Sequence, residues 1–233
     1  GLTLDREPDS LVHFKINTEI AMNVARCLEQ KAVKKCVFFS TVSVYGDDET
    51  NLRITEHSQI HPTTYYGAAK FASECLLNHV AELKTFPFLC LRLCRIYGPG
   101  APHANYGPIQ FIRSILKERT VHIYGEGRET REFLFIDDLC RLVHELIDSS
   151  SSGIFNLASG ENHSFVEILS ILKKIVPYEF TVSSISRTRP LIDQRFDVTK
   201  LKKTLPHFRF TSLETGLQTT YDDYAKAIHS HSC

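Results

Sequence analysis

The chain has 233 residues, 42% of them hydrophobic and 23% charged, and its 27 basic and 27 acidic side chains cancel to zero net charge. That balance, with like charges never clustered into a block, speaks against a nucleic-acid or anionic-membrane partner. No apolar stretch approaches the roughly 18 residues that span a bilayer, and the opening GLTLDREPDS lacks an apolar signal core, so a cytoplasmic protein is expected.

The first element is a helix from about Ser10 to Lys31, where Ile16, Ile20, Val24 and Leu28 recur every four residues and predict one buried face. Cys36-Val37-Phe38-Phe39 is a short continuous apolar run, as expected of a parallel strand covered on both faces, and it leads into the loop Ser40–Gly46. A second helix is predicted from about Thr64, with Tyr66, Lys70 and Glu74 on one side and Ala72, Leu76, Val80 and Leu83 on another. Phe88–Cys94 reads as a second buried strand. The Pro- and Gly-rich stretch from Tyr97 to Pro108 marks a crossing between domains.

Beyond it come a helix over Pro108–Lys117, a strand at Val121–Tyr124, and a helix over Asp137–Ile147 with two acids at its positive end. Gly153–Leu157 is a strand, and Ser164-Phe165-Val166-Glu167 is a capping box opening a helix to about Ile175. Phe180–Ile185 alternates as a strand, and Leu213–Ile228 closes the chain as a helix. Strands alternating with helices of this length predict an α/β fold with a parallel sheet.

The seven cysteines, Cys27, Cys36, Cys75, Cys90, Cys94, Cys140 and Cys233, are odd in number, lack a Cys-x-x-Cys pair and lie mostly in apolar runs. Buried free thiols are expected rather than disulfides. His229, His231 and Cys233 alternate at the terminus without a fourth ligand, so no metal site is expected.

Tyr66 and Lys70 form Tyr-x-x-x-Lys, a spacing that stacks both side chains on one helical face about one turn apart. An ammonium beside a phenol stabilises the phenolate, lowering a tyrosine pKa of about 10 toward values useful for exchanging a proton with an alcohol. The hydroxyl-bearing loop Ser40-Thr41-Val42-Ser43-Val44-Tyr45-Gly46 leaves a buried strand just upstream, and open α/β sheets bind ligands at such carboxyl ends.

With these features, the segments FFSTVSVYGD, PTTYYGAAKFASE, LRLCRIYGPG, IYGEGRETREFLFIDDL and FNLASGE, in this order, closely resemble the extended short-chain dehydrogenase/reductases of the epimerase and dehydratase branch. The resemblance covers nearly the whole chain. It implies a Rossmann-type doubly wound parallel sheet, partial here, with a smaller α/β substrate domain. Residues 1–97 and 133–160 would form the incomplete dinucleotide-binding part, and 98–132 and 161–233 the nucleotide-sugar part.

By the same resemblance Thr41 matches the residue that hydrogen-bonds the reacting sugar oxygen, Tyr66 the acid/base, and Lys70 the residue that lowers its pKa and holds the nicotinamide ribose. Asn17, Ser40 and Cys94 fall at positions near the cofactor, which would be NAD, with NADP as the alternative. Arg131 matches an arginine that contacts the nucleotide diphosphate, and Arg189 falls in a later Arg-Pro segment that often supplies a second contact. Arg95 stands where the family commonly has an asparagine, as a further substrate-side position. A homodimer packed through the two long helices is the implied assembly.

Departures narrow the reading. The family's 4,6-dehydratases carry Asp-Glu where Val42 and Ser43 stand, and its decarboxylases keep a Glu at Ser43, so epimerisation of a nucleotide sugar is expected, with one-way ketoreduction as the alternative. The family's opening strand, glycine-rich turn and helix are missing, since no glycine lies between Gly1 and Gly46. A non-catalytic relic of the fold is the rival from another class. Together with a first residue that is not Met, this predicts a fragment or processed product that does not hold NAD tightly by itself.

Overall fold

A computed structural model describes residues 10–46, 51–100, 107–187 and 193–230. Helix α1 (Leu11–Gln30) buries His13, Asn17, Ala21, Ala25 and Leu28, packed along α2 (Tyr65–Lys84). The expected stripe is therefore corrected: Ile20 and Val24 are 44% and 40% exposed. Residues four apart advance about 40° beyond a full turn, so three such steps swing from one face to another. Alanines at positions 21 and 25 let the second helix approach closely, and the bulkier neighbours turn away from it. On α2 the buried set is Gly67, Ala69, Ser73, Glu74, Leu77, Val80 and Ala81, whereas Leu83 is 65% exposed, contrary to its predicted grouping with Val80.

Strands β1 (Cys36–Thr41), β3 (Phe88–Leu93) and β7 (Gly153–Leu157) form a parallel sheet in the order β1-β3-β7. The central β3 is buried almost throughout, as a strand with a neighbour on each side must be. The end strand β1 departs from expectation, with Cys36 to Phe38 only half-buried and Phe39 44% exposed. Beneath the sheet, α4 (Ile136–Asp148) drives Leu142 and Leu146 into a core with Leu89, Leu91, Phe155 and Leu157. Lys35, just before β1, donates to the carbonyls of Ile147 (2.8 Å) and Ser149 (2.6 Å) and so caps the negative end of α4.

Three smaller pairings complete the architecture. β2 (Asn51–Ile54) runs parallel to β10 (Gln194–Phe196); β6 (Thr130–Phe135) lies between β4 (Arg95–Tyr97) and β8 (Asn162–Ser164); β5 (Thr120–Tyr124) runs parallel to β9 (Thr181–Ile185). Helices α3 (Gly107–Glu118), α5 (Phe165–Ile175) and α7 (Leu213–Ser230) enclose a second apolar core around Ile112, Ile115, Phe133, Leu172 and Leu217. The capping box that opens α5 is formed in both directions by Ser164 and Glu167. The short α6 (Thr199–Thr204) packs on β7. The six described cysteines are free, but Cys27, Cys75 and Cys140 are exposed, and only Cys90 and Cys94 are fully buried. His231 and Cys233 lie outside the described residues. No described helix is long and apolar enough to cross a membrane.

Candidate functional site

The strand β1 ends at Thr41, which is buried, and its hydroxyl oxygen accepts from the Ser43 amide at 3.2 Å. A single 3₁₀ turn, Val42–Tyr45, follows. It is fastened to the next segment by the His61 amide, which donates to the Val44 carbonyl at 3.0 Å. Thr64 caps α2 by accepting from the Gly67 amide at 3.0 Å. A Cβ on Gly67 would stand 2.6 Å from the Ser43 carbonyl oxygen, so only glycine lets the first turn of α2 press against the turn that follows β1. That close approach brings Tyr66 and Lys70 to the end of the sheet where Thr41 sits.

Lys70 reaches across to β1 and donates to the Phe39 carbonyl at 2.7 Å. Its Nζ lies 5.9 Å from the centre of the Tyr66 ring and 4.9 Å from that of Phe38. Burial lowers the pKa of this amine, with Cys90 and Glu74 pulling the other way. One turn further along α2, Glu74 is buried, accepts from the Ser40 hydroxyl, and takes a two-pronged ion pair from Arg92 on β3, Nη2 to Oε2 at 2.7 Å and Nε to Oε1 at 3.1 Å. Arg92 also donates to the Tyr45 hydroxyl at 2.8 Å, and Tyr45 in turn to Asn156 Oδ1 on β7 at 2.7 Å. Burial works against the Arg92 cation, yet the bonds and charge of Glu74 outweigh it and raise its pKa.

Sequence reasoning placed Ser40 near a cofactor; its hydroxyl is engaged by Glu74 instead of standing open. It placed Glu74 on the side of α2 that carries Tyr66 and Lys70, and Tyr45 in the loop after β1, but gave no role to either or to Arg92 and Asn156. The available signal was a charged residue in the middle of the apolar run Phe88–Cys94, because a lone cation in a buried strand demands a buried partner.

Asn17 is buried within α1 and donates to the His13 carbonyl at 2.9 Å. Cys94 is buried just beyond β3, where burial holds its thiol well above the usual range. Arg95 on β4, which the parallel ladder sets opposite Phe133, and Arg131, two residues before Phe133 on β6, line one cavity of about 270 Å³ together with Glu129, His122 and Phe165. Arg131 lies 3.0 Å from Glu129 Oε1, and Glu129 Oε2 accepts from Arg187 at 2.6 Å. Arg189 lies outside the described residues.

Next to Arg131, Glu132 points away from that cavity and accepts from the amides of Phe196 (3.0 Å) and Gly160 (2.9 Å). Burial pushes its carboxyl up to about 7, although these amides oppose the shift. The folded state therefore keeps a proton that the unfolded chain releases near 4.5, and stability is expected to fall as pH rises through this window, by at most about 3 kcal/mol. Urea unfolding at pH 5 and pH 8 checks this, and Glu132→Gln is expected to remove most of the difference.

A parallel sheet that ends in a hydroxyl-bearing turn, faced by a helix carrying Tyr66 and Lys70 one turn apart, defines a Rossmann-type protein of the dehydrogenase kind. The particular family follows from the whole sequence: the chain belongs to the NAD dependent epimerase/dehydratase family, whose model matches residues 5–158. Among curated relatives, it is 26% identical over 212 residues to the UDP-glucuronate 4-epimerase of Thermodesulfobacterium geofontis, covering 90% of this chain and 65% of that one. It is likewise 26% identical over 222 residues to UDP-glucuronic acid decarboxylase 1 of Xenopus tropicalis, covering 92% of this chain and 52% of the relative. The chain thus spans from about half to just under two thirds of the length of these relatives. Among solved structures, the UDP-glucose 4-epimerase of Thermotoga maritima with UDP-glucose superposes with a TM-score of 0.81 at 26% identity, covering 92% of this chain and 71% of that one. The UDP-glucuronic acid 4-epimerase of Bacillus cereus, solved with UDP-glucuronic acid and NAD, gives 0.80 at 25%, covering 91% and 68%.

Proposed function

We propose that this protein is an NAD-dependent epimerase acting on a nucleotide-linked sugar, with Thr41, Tyr66 and Lys70 as its catalytic residues. The observation that carries the reading is the Lys70 ammonium, held by the Phe39 carbonyl at the carboxyl end of β1 and lying beside the Tyr66 ring. The cation favours ionised Tyr66, whose phenolate takes the proton of the sugar hydroxyl that is to be oxidised and returns it when the ketone is reduced on its other face. Thr41, placed by the Ser43 amide, orients that oxygen. NAD, when bound, supplies the reversible hydride acceptor.

The residues here suit the nicotinamide ribose end of such a cofactor, since Lys70 spends one of its three donors on Phe39 and projects from α2 at the end of β1. Asn17 and Cys94 are assigned to the same end. A glycine-rich pyrophosphate turn is not among the residues preceding Gly46. In this reading residues 1–97 and 133–160 serve the cofactor and 98–132 and 161–233 the nucleotide sugar, with β10 and α6 returning to the first part. Arg95 and Arg131, in their shared cavity, and Arg189 bind the nucleotide diphosphate. The absence of an acid pair after Thr41 supports epimerisation over dehydration: Val42 is buried in the core, and Ser43 is bonded to Thr41. A homodimer through α1 and α2 is supported by the outward-facing Ile20, Val24 and Leu83.

Incubating the full chain as its source produces it with NAD and a panel of UDP-sugars tests the reading. Interconversion of 4-epimers without net NADH is the expected result. Stoichiometric consumption of NADH makes the enzyme a ketoreductase, and a protein that binds neither NAD nor any UDP-sugar overturns the proposal.

A further inference from the structure

The cavity that holds Arg95 and Arg131 contains a feature that a plain anion site does not need, a carboxylate of its own. Glu129 stands between two guanidinium groups, its Oε1 3.0 Å from Arg131 Nη2 and its Oε2 2.6 Å from Arg187 Nη1, and its side chain is only 14% exposed. Arg187 is delivered there by the β5/β9 ladder. Ile185 pairs with Tyr124, the Gly125 amide donates to the Ile185 carbonyl at 2.8 Å, and Arg187, two residues on, lies against Gly125 with its Nε 3.5 Å from where a Cβ would be. The Arg187 fork thus bonds two residues that line the cavity, Glu129 and, through its second nitrogen at 3.4 Å, the Tyr124 carbonyl.

We infer that Glu129 is a resident counter-ion occupying the seat of the substrate's diphosphate, and that Arg187 is a further anion-binding residue which Glu129 holds in reserve. The inference rests on the reading of this cavity as the nucleotide-diphosphate site. Two neighbouring guanidiniums repel one another when the site is empty; a carboxylate between them keeps both aimed at one point. An incoming diphosphate brings four or more acceptor oxygens to the same point, takes over the arginine donors, and leaves Glu129 as a like-charge neighbour. The carboxylate therefore costs affinity for every anionic ligand while it preorganises the arginines, and it costs nothing for the uncharged nucleoside. The consequence is a substrate that binds loosely enough to leave, set by one residue.

Isothermal titration of the full chain with UDP and with uridine, in the wild type, in Glu129→Gln and in Arg187→Gln, tests this. Glutamine keeps the size of Glu129 and one acceptor for Arg187 while removing the charge. Glu129→Gln is expected to bind UDP about tenfold more tightly and Arg187→Gln about tenfold more weakly, with uridine affinity unchanged in both. Equal or weaker UDP binding by Glu129→Gln, with wild-type binding intact, overturns the inference and makes Glu129 only a scaffold for the two arginines. A wild type that binds neither UDP nor uridine instead overturns the nucleotide reading of the cavity, and the role of Glu129 falls with it.

Discussion

Tyr66→Phe is expected to lower turnover by about 10²- to 10⁴-fold while leaving the unfolding midpoint nearly unchanged. The ring that lies at the start of α2 is kept, as are its contact with Lys70 and the close seating of Gly67 on the Ser43 carbonyl; only the phenolic oxygen is lost. Steady-state kinetics on a UDP-sugar, beside a thermal melt, separate loss of chemistry from loss of structure. Lys70→Met makes a complementary change. Without the ammonium the phenolate loses its stabilising charge, so the rising limb of the pH–rate profile is expected to move to higher pH, and the Phe39 carbonyl loses its donor. A profile that loses height without moving would mean that Lys70 serves only to hold β1 and α2 together.

Much of this site was legible in the sequence, because its parts are local. Tyr66 and Lys70 lie on one helix, and a four-residue spacing fixes their relation whatever the rest of the chain does. Thr41 follows a short apolar strand, and β7 and α5 fall where Gly153–Leu157 and the Ser164 capping box place them. What escaped prediction depends on distant partners. The strand β6 carries Arg131 and Glu132 in its interior, so its pattern is not that of a buried strand. Partners that include Glu129 and the Thr130 carbonyl for Arg131, and the amides of Phe196 and Gly160 for Glu132, satisfy both charges in their buried places. Arg95 shares a cavity with Arg131 because a parallel pairing sets it opposite Phe133, two residues further along β6, and no local periodicity records a pairing between segments so far apart in the chain. The outward turn of Ile20 and Val24 has a different cause: the face of α1 that is buried is the one whose alanines permit close packing, not the one that is most apolar.

The largest effect on stability is expected at the buried pair that backs the site. Arg92→Met should cost about 3 to 5 kcal/mol, because it strands the Glu74 carboxylate among β1, β3 and α2 with the neutral Ser40 hydroxyl and Cys90 thiol in place of its bonded cation. Glu74→Gln alone should cost a similar amount by leaving the guanidinium uncompensated. The double variant Glu74→Gln, Arg92→Met removes both charges, so its loss should be well below the sum of the two, with a coupling energy of about 2 kcal/mol or more in urea unfolding. Additive losses would show that the pair contributes little as a pair. Glu74 lies one turn beyond Lys70 on the same face, and through Arg92 it joins α2 to Tyr45 after β1 and, through Tyr45, to Asn156 on β7. Removing both charges restores much of the fold's stability but not this connection. Turnover of the double variant should therefore stay depressed after stability has largely returned, since the register of Tyr66 and Lys70 against Thr41 is set by how α2 is held to the sheet and not by the net charge beneath it.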